Sequence, residues 1–382
     1  MSRLYFDHNA TTPLCPEAKA AWLEVVDTHW MNPSSPYRAA AAVQVRLEAA
    51  RAELADLCQV EAERLVFCSG ATEANNVVFR HWAQRLPASG RVGLSPVEHP
   101  SVLEAAKHYF GERIEYLPVD AAGRVDMAVL EKRLGAGGLA AVSIMAANNE
   151  TGVLQAWPEA AQLCRRAGVP YHCDASQWVG KQPMTGMGAG HYVSGCAHNF
   201  GGPKGVGFLI LPSQGDPCRI TFGGGQEYGH RAGTEDVAGV LAMLAALRAA
   251  KPQATTARDA FIAEITQRVA GTQVLGEGAE HLWNTVALVM PEFSSTRWVR
   301  ALEKAGCWLS SGSACSTGHA SVSHVLLAMG LDAAVAGRVL RVSSGFETSR
   351  ADWQALAEAF TGAYQSLREA DAASPSKVIS ID

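Results

Sequence analysis

The chain runs to 382 residues with a formal net charge of −5, 48% hydrophobic and 18% charged residues. That is enough for a large domain plus a smaller one, each with its own apolar core, and too apolar for an unfolded chain. Acidic and basic residues are intermixed, which excludes the cationic stripe that nucleic acid requires, and no apolar run approaches the roughly 20 residues of a bilayer span.

The opening residues Met1–Ala10 lack the apolar core of a signal peptide, so a cytoplasmic protein without membrane attachment is expected. Nine cysteines, an odd number, form no C-x-x-C pair. Neither a disulfide framework nor a metal site is expected from that spacing.

From about Val60 to Leu211, short β-rich apolar runs alternate with longer helical patterns, as in a sheet built largely from crossover units. Strands are expected over Arg64–Cys68, Arg91–Ser95, Leu139–Met145, Val169–Asp174, His191–Cys196 and Val206–Leu211. Helices are expected to start near Thr72, Pro100, Asp126 and Trp157, followed by an Ala-rich helix from about Gly233 to Ala250. A second α+β unit follows, with strands at His281–Val289 and Val339–Ser343 and a closing helix over Arg350–Leu367. Domain limits of 15–250 for the large unit, 1–14 with 251–371 for the small one, and a polar tail over 372–382 follow from this pattern.

Chemistry-bearing residues sit at strand ends and helix starts. Ser69 to Glu73 joins a strand to a helix, where unpaired N–H groups suit a phosphate; by itself Thr72 reads as an ordinary N-cap. Asp174, at the end of an apolar run, suits a protonated ring nitrogen, with Gln177 three residues on; by itself it reads as a cap. His99 suits stacking and proton exchange, or a structural hydrogen bond. Asn148 to Gly152 reads as a turn. Cys315 lies in a run of small residues, Ser310 to Gly318, that suits a mobile loop exposing a thiol rather than a core.

Together these segments resemble the cysteine desulfurases of the class V aminotransferase group. The resemblance rests on ten motifs in order: Tyr5 to Thr12, Asn32 to Ser35, Ser69 to Asn76, Glu98 to Ser101, Asn148 to Gly152, Asp174 to Gln177, Gly202 to Gly205, Arg231 to Thr234, Ser311 to Cys315 and Arg341 to Ser343. It implies a fold-type I transferase dependent on pyridoxal 5′-phosphate: a large domain with a mostly parallel seven-stranded sheet flanked by helices, and a small α+β domain. It further implies a homodimer, L-cysteine as substrate, and a sulfur-acceptor protein such as an iron–sulfur scaffold.

By motif match, the resemblance implies that Thr72 and His198 hold the cofactor phosphate together with Thr234 of the opposite subunit, with Ala71 and Cys196 also at the cofactor. Asp174 would pair with the pyridine nitrogen, Gln177 with the phenolic oxygen, and His99 would stack on the ring. Asn149 and Arg341, with Asn32, would grip the substrate carboxylate. Cys315, in a loop near 310–322, would be the nucleophile that takes sulfur as a persulfide while alanine leaves.

One position departs from the pattern. Where the family keeps its Schiff-base lysine this chain has Asn199, within Cys196-Ala-His-Asn199, and the flanking spacing leaves no room for a frameshift. A carboxamide neither condenses with an aldehyde nor acts as a base near neutral pH, so desulfurase turnover is expected to be slow or absent. Lys204 reads as a structural or surface lysine. Cys196 in place of serine and Tyr228 in place of arginine are lesser departures. Two rival readings remain at this level: an inactive scaffold homologue, and a lyase acting on C–S or C–Se bonds of another amino acid.

Overall fold

In the computed structural model, residues 3–189, 192–213, 218–312 and 322–373 are described. The chain opens with β1 (Leu4–Tyr5), α1 (Pro16–Thr28) and α2 (Arg38–Cys58), then alternates β2 (Leu65–Cys68), α3 (Ala71–Arg85), β3 (Val92–Leu94), α4 (Pro100–Phe110), β4 (Ile114–Tyr116), α5 (Met127–Gly135), β5 (Ala141–Ser143), α6 (Trp157–Ala167) and β6 (Tyr171–Asp174). Two more strands, β7 (Tyr192–Cys196) and β8 (Gly207–Ile210), precede α7 (Val237–Ala249).

These strands form one seven-stranded sheet in the order β2-β8-β7-β6-β5-β3-β4, parallel from β7 through β4, with β8 antiparallel to both its neighbours. Its apolar side chains alternate between two cores: Leu65 and Phe67 point to one face, Val66 and Cys68 to the other. That period of two explains why the central strands read as unbroken apolar runs, since both faces are covered by helices. Helices α3 and α4 line one face, α1, α2, α6 and α7 the other.

The six strands expected between 64 and 211 are all present, shorter by one or two residues at most ends and by two at each end for β5. Edge strand β4 is additional; three residues with Glu115 at the centre carry too little apolar pattern to stand out. Helices α1 and α2 also gave no signal of their own kind, because their buried faces are built mainly from alanine and valine.

The rest of the chain supplies α8 (Thr256–Arg268), β9 (Gln273–Val274), β10 (Thr285–Val289), α9 (Ser295–Lys304), β11 (Cys307–Trp308), β12 (Ser310–Ser311), α10 (His324–Ala328), α11 (Ala333–Ala336), β13 (Val339–Ser343) and α12 (Arg350–Ala372). A four-stranded antiparallel sheet, β12-β13-β10-β9, packs on α8, α9 and α12. Within this core Trp298 stacks on Tyr364 with 5.8 Å between ring centres. Helix α12 starts with a reciprocal cap between Ser349 and Asp352, and extends to Ala372, beyond the expected Leu367.

Two expectations are corrected. The strand expected over His281–Val289 forms only from Thr285, because His281 turns to bridge Val153 instead. The small-residue run from Ser310 begins as strand β12, paired with Arg341 and Leu340, rather than as loop. Residues 3–9 run beside these strands: β1 pairs with β11, and Asp7 bridges Ser343, which carries Asn9 to the junction between the two sheets. Among the described residues no helix is long and apolar enough to cross a membrane.

Candidate active site

A cavity of about 600 Å³ opens at the carboxyl ends of the parallel strands, where open α/β sheets place their ligands. One wall is the start of α3. Gly70, at φ 144°, turns the chain sharply into the helix, and no side chain caps its first N–H groups. Gly207 of β8 permits this approach, since a Cβ there would lie 2.6 Å from the Gly70 Cα. Ala71 and Thr72 therefore line the cavity with free helix-terminal donors, the usual setting for an anion.

Asp174, at the end of β6, is fixed from three directions. Asn75 of α3 donates to one carboxylate oxygen at 2.8 Å, while the Ser176 amide and hydroxyl donate to the other at 2.9 and 2.5 Å. Asn75 is itself held, donating to Ser101 at 2.9 Å and accepting from Ser194 at 2.5 Å. Behind it, buried His172 lies between Ser143 and Ser194; burial lowers its pKa to about 4, so the ring is neutral.

His99 caps α4 and lines the same cavity. The Ser101 amide donates to His99 Nδ1 at 3.1 Å, which makes Nδ1 an acceptor and leaves the ring proton on Nε2. Burial lowers the pKa of His99, with Asp174 opposing the shift. The structural hydrogen bond and the cavity position are thus both present. Next to it, wholly buried Glu98 accepts from the Met145 amide at 2.6 Å; burial and the neighbouring Asp174 push its pKa well up from the carboxylate range.

On the opposite side, Gln177 donates to the Asn9 carbonyl at 3.0 Å and accepts from Lys181 at 2.5 Å. Lys181 is 2% exposed and donates also to Asn9 Oδ1 at 3.0 Å. Burial lowers this amine to about 7, with Cys196 drawing it back up and Arg341 pressing it down. Arg341 of β13 reaches in beside them, donating to the Asn149 carbonyl at 3.2 Å and pairing with Asp7 at 2.6 Å, with its Nε without a partner among the described residues.

The last wall is the β7–β8 connection, which the antiparallel register of Cys196 with Gly207 folds back over the sheet end. It carries His198, Asn199 and exposed Lys204 to the cavity. Asn199 donates to the Ser176 carbonyl at 3.2 Å and to Cys196 Sγ at 3.4 Å, while its buried Oδ1 has no partner among the described residues. Burial lowers the pKa of His198, reinforced by Lys204, Lys181 and His99; burial raises the Cys196 thiol to about 12.

Of the residues expected at the site, Ala71, Thr72, His99, Asn149, Asp174, Gln177, Cys196, His198, Asn199 and Arg341 share this one cavity. Asn32 does not: it is exposed, and its Oδ1 accepts from the Ser34 amide in a local turn. Thr234 is exposed and also outside this chain's own cavity. Cys315 lies outside the described residues. Sequence reasoning assigned no role to Asn75, Asn9, Asp7 or Lys181; the first three sat inside recognised motifs, and Lys181 carried no signal beyond following Asp174-Ala-Ser-Gln177.

Residues 4–356 match the aminotransferase class-V family model. The chain belongs to this family. A "Cysteine desulfurase" of Cereibacter sphaeroides is 36% identical to it over 378 residues, covering 96% of this chain and 97% of that one. A "Cysteine desulfurase" of Klebsiella pneumoniae is 35% identical over 362 residues, covering 90% and 88%. Among solved structures, a "NifS-like protein" superposes with a TM-score of 0.84 at 28% identity, covering 95% of this chain and 99% of that one. The chain thus sits among the cysteine desulfurases, class V enzymes with the α/β architecture of fold-type I, as its ten motifs lead one to expect.

Proposed function

We propose that this chain binds pyridoxal 5′-phosphate in the cavity and takes L-cysteine as substrate, with turnover held down by Asn199. The observation that carries the reading is the convergence around one space of an uncapped helix start, a carboxylate held by three donors and a guanidinium whose Nε has no partner among the described residues. The donor set fits the group: anion donors from α3 and His198 at one end, an imidazole wall, and a fixed carboxylate at the other. When bound, the cofactor's protonated ring draws electrons from the substrate Cα.

The chain's own residues divide the remaining work. Asp174 keeps the ring nitrogen protonated, and its fixed geometry costs no reorganisation. Arg341 and the Asn149 segment grip the substrate carboxylate. Cys315 attacks the substrate sulfur, so that sulfur leaves on the enzyme as a persulfide and the remaining three carbons leave as alanine. Asn199 supplies neither an amine to condense nor a base to move the Cα proton; losing a positioned base costs on the order of 10² to 10⁴ in rate.

We also infer a homodimer. Trp22, Leu23 and Val26 of α1, with Trp30, Tyr37, Val45 and Phe222, are exposed apolar side chains that a monomer has no use for. Exposed Thr234 then suits the neighbouring subunit's phosphate site. The eight described cysteines are all free, which suits a reducing cytoplasm, and an iron–sulfur scaffold is the acceptor this reading favours. The test is to load the protein with pyridoxal phosphate, add L-cysteine and follow both the visible spectrum and alanine release. A spectral change with little alanine supports the reading, and an unchanged spectrum overturns it in favour of a scaffold.

A further inference from the structure

A carboxamide can turn either of its ends toward a ligand, and which end faces the cavity decides whether Gln177 stabilises or repels an anion there. Two contacts decide the matter. Lys181 lies 2.5 Å from one atom of the carboxamide and the Asn9 carbonyl 3.0 Å from the other. The backbone carbonyl of Asn9 only accepts, so the N–H₂ faces Asn9 and the oxygen faces the Lys181 amine, which donates to it.

Lys181 is held in turn. Its second acceptor, Asn9 Oδ1, also receives Asn284 at 3.1 Å, while Asn9 Nδ2 donates to the Asn149 carbonyl at 3.1 Å and to Thr285 at 2.9 Å. The charged and titratable groups facing Lys181 are Arg341 and Cys196, with His8 and His198 also within electrostatic reach; among the described residues no carboxylate is a hydrogen-bond partner of it. A lysine 2% exposed with only neutral acceptors is an expensive residue to keep for packing alone. Nothing in the reaction assigned to this cavity uses it.

We propose that Lys181 is a positioning residue: it locks the Gln177 carboxamide with its N–H₂ toward the bound cofactor, so that the site favours the cofactor's phenolic oxygen in its ionised form. This rests on the pyridoxal phosphate reading. Remove the amine, and the carboxamide oxygen loses its donor, so that the Asn9 carbonyl alone still holds the N–H₂ and the lock on the carboxamide is weakened.

The experiment uses 4′-deoxypyridoxine 5′-phosphate, which has the ring, phenol and phosphate but no aldehyde, so the residue at 199 does not enter. Its phenol is titrated by absorbance while bound to the wild-type chain and to Lys181→Met, Lys181→Gln and Gln177→Leu. Losing one hydrogen bond to the charged form raises the apparent phenol pKa by about one unit in Lys181→Met and in Gln177→Leu. Lys181→Gln keeps N–H donors at that spot and stays near the wild-type value. The double variant Lys181→Met/Gln177→Leu shows no rise beyond Gln177→Leu alone, because the lysine acts through the carboxamide. A wild-type titration in Lys181→Met, an equal rise in Lys181→Gln, or additive rises in the double variant overturn the inference. If Lys181→Met does not fold, the comparison of Lys181→Gln with Gln177→Leu decides by the same signs. Failure of the probe to bind the wild-type chain at all would instead overturn the cofactor reading beneath it.

Discussion

Two corners of one cavity differ in how completely they are finished. At the Asp174 corner three donors meet two carboxylate oxygens, and each donor's own residue is held by a further partner, back through Asn75 and Ser194 to His172. At the Asn199 corner, on the β7–β8 connection, a buried carboxamide oxygen has no partner among the described residues. A buried polar atom left unpaired costs about 1 to 3 kcal/mol, and under the function proposed above the satisfied corner is the one that would hold the ring and the unsatisfied one the corner where chemistry would start. The contrast separates binding from turnover within a single pocket.

The largest expected effect lies at the unfinished corner. Asn199→Lys restores an amine that can act as the missing base, and raises sulfide and alanine release from L-cysteine by on the order of 10² to 10⁴; an unchanged rate in a pyridoxal phosphate-loaded protein would place the deficit elsewhere. At the finished corner, Asp174→Ala strands the donors of Asn75 and Ser176. It lowers the stability of the cofactor-free chain by about 4 kcal/mol, read by urea denaturation, and cofactor affinity falls with it, while Asn199→Lys leaves cofactor binding by the phosphate end intact.

Glu150 sharpens the comparison with a second buried carboxyl, served by one side-chain donor among the described residues, Ser323 at 2.6 Å. Burial pushes its pKa from 4.5 up to about 7, the Ser323 hydrogen bond and Arg341 pulling it back. Since the folded value lies above the unfolded one, the folded chain keeps a proton that the unfolded chain releases between pH 4.5 and about 7. The stability from this group is full at the acid end of that window and is lost as pH rises through it, by about 3 kcal/mol in all. Glu150→Gln removes that loss, so its stability relative to wild type improves from pH 5 to pH 8; a pH-independent difference would mean the carboxyl is not protonated in the folded chain. The smallest effect is at Ser176→Ala, which deletes one of the hydrogen bonds to Asp174 and costs about 1 kcal/mol with cofactor binding only mildly weakened.

Much of this molecule was legible along the chain. Six strands between residues 64 and 211 and the helices between them followed from apolar runs and their periods, because a sheet covered on both faces writes its burial into nearly every residue. Ten of the residues expected at the site share one cavity, because strand ends and helix starts of an α/β sheet converge whatever the intervening lengths. Asn32 and Thr234 do not join them in the single chain, and no local pattern distinguishes a residue that faces its own cavity from one that faces outward.

Composition, strand pattern and the motif order settled the architecture and the family, and the substitution at 199 was visible as a plain letter. What only the folded chain decided is how buried polar groups pair across distant segments. Asn75 meets Asp174 at a separation of 99 residues, and Asn9 meets Asn284 at 275. Hydrogen-bond satisfaction is short-ranged in space and indifferent to distance along the chain, so neither the fixed orientation of Gln177 nor the unpaired oxygen of Asn199 has any trace in local sequence.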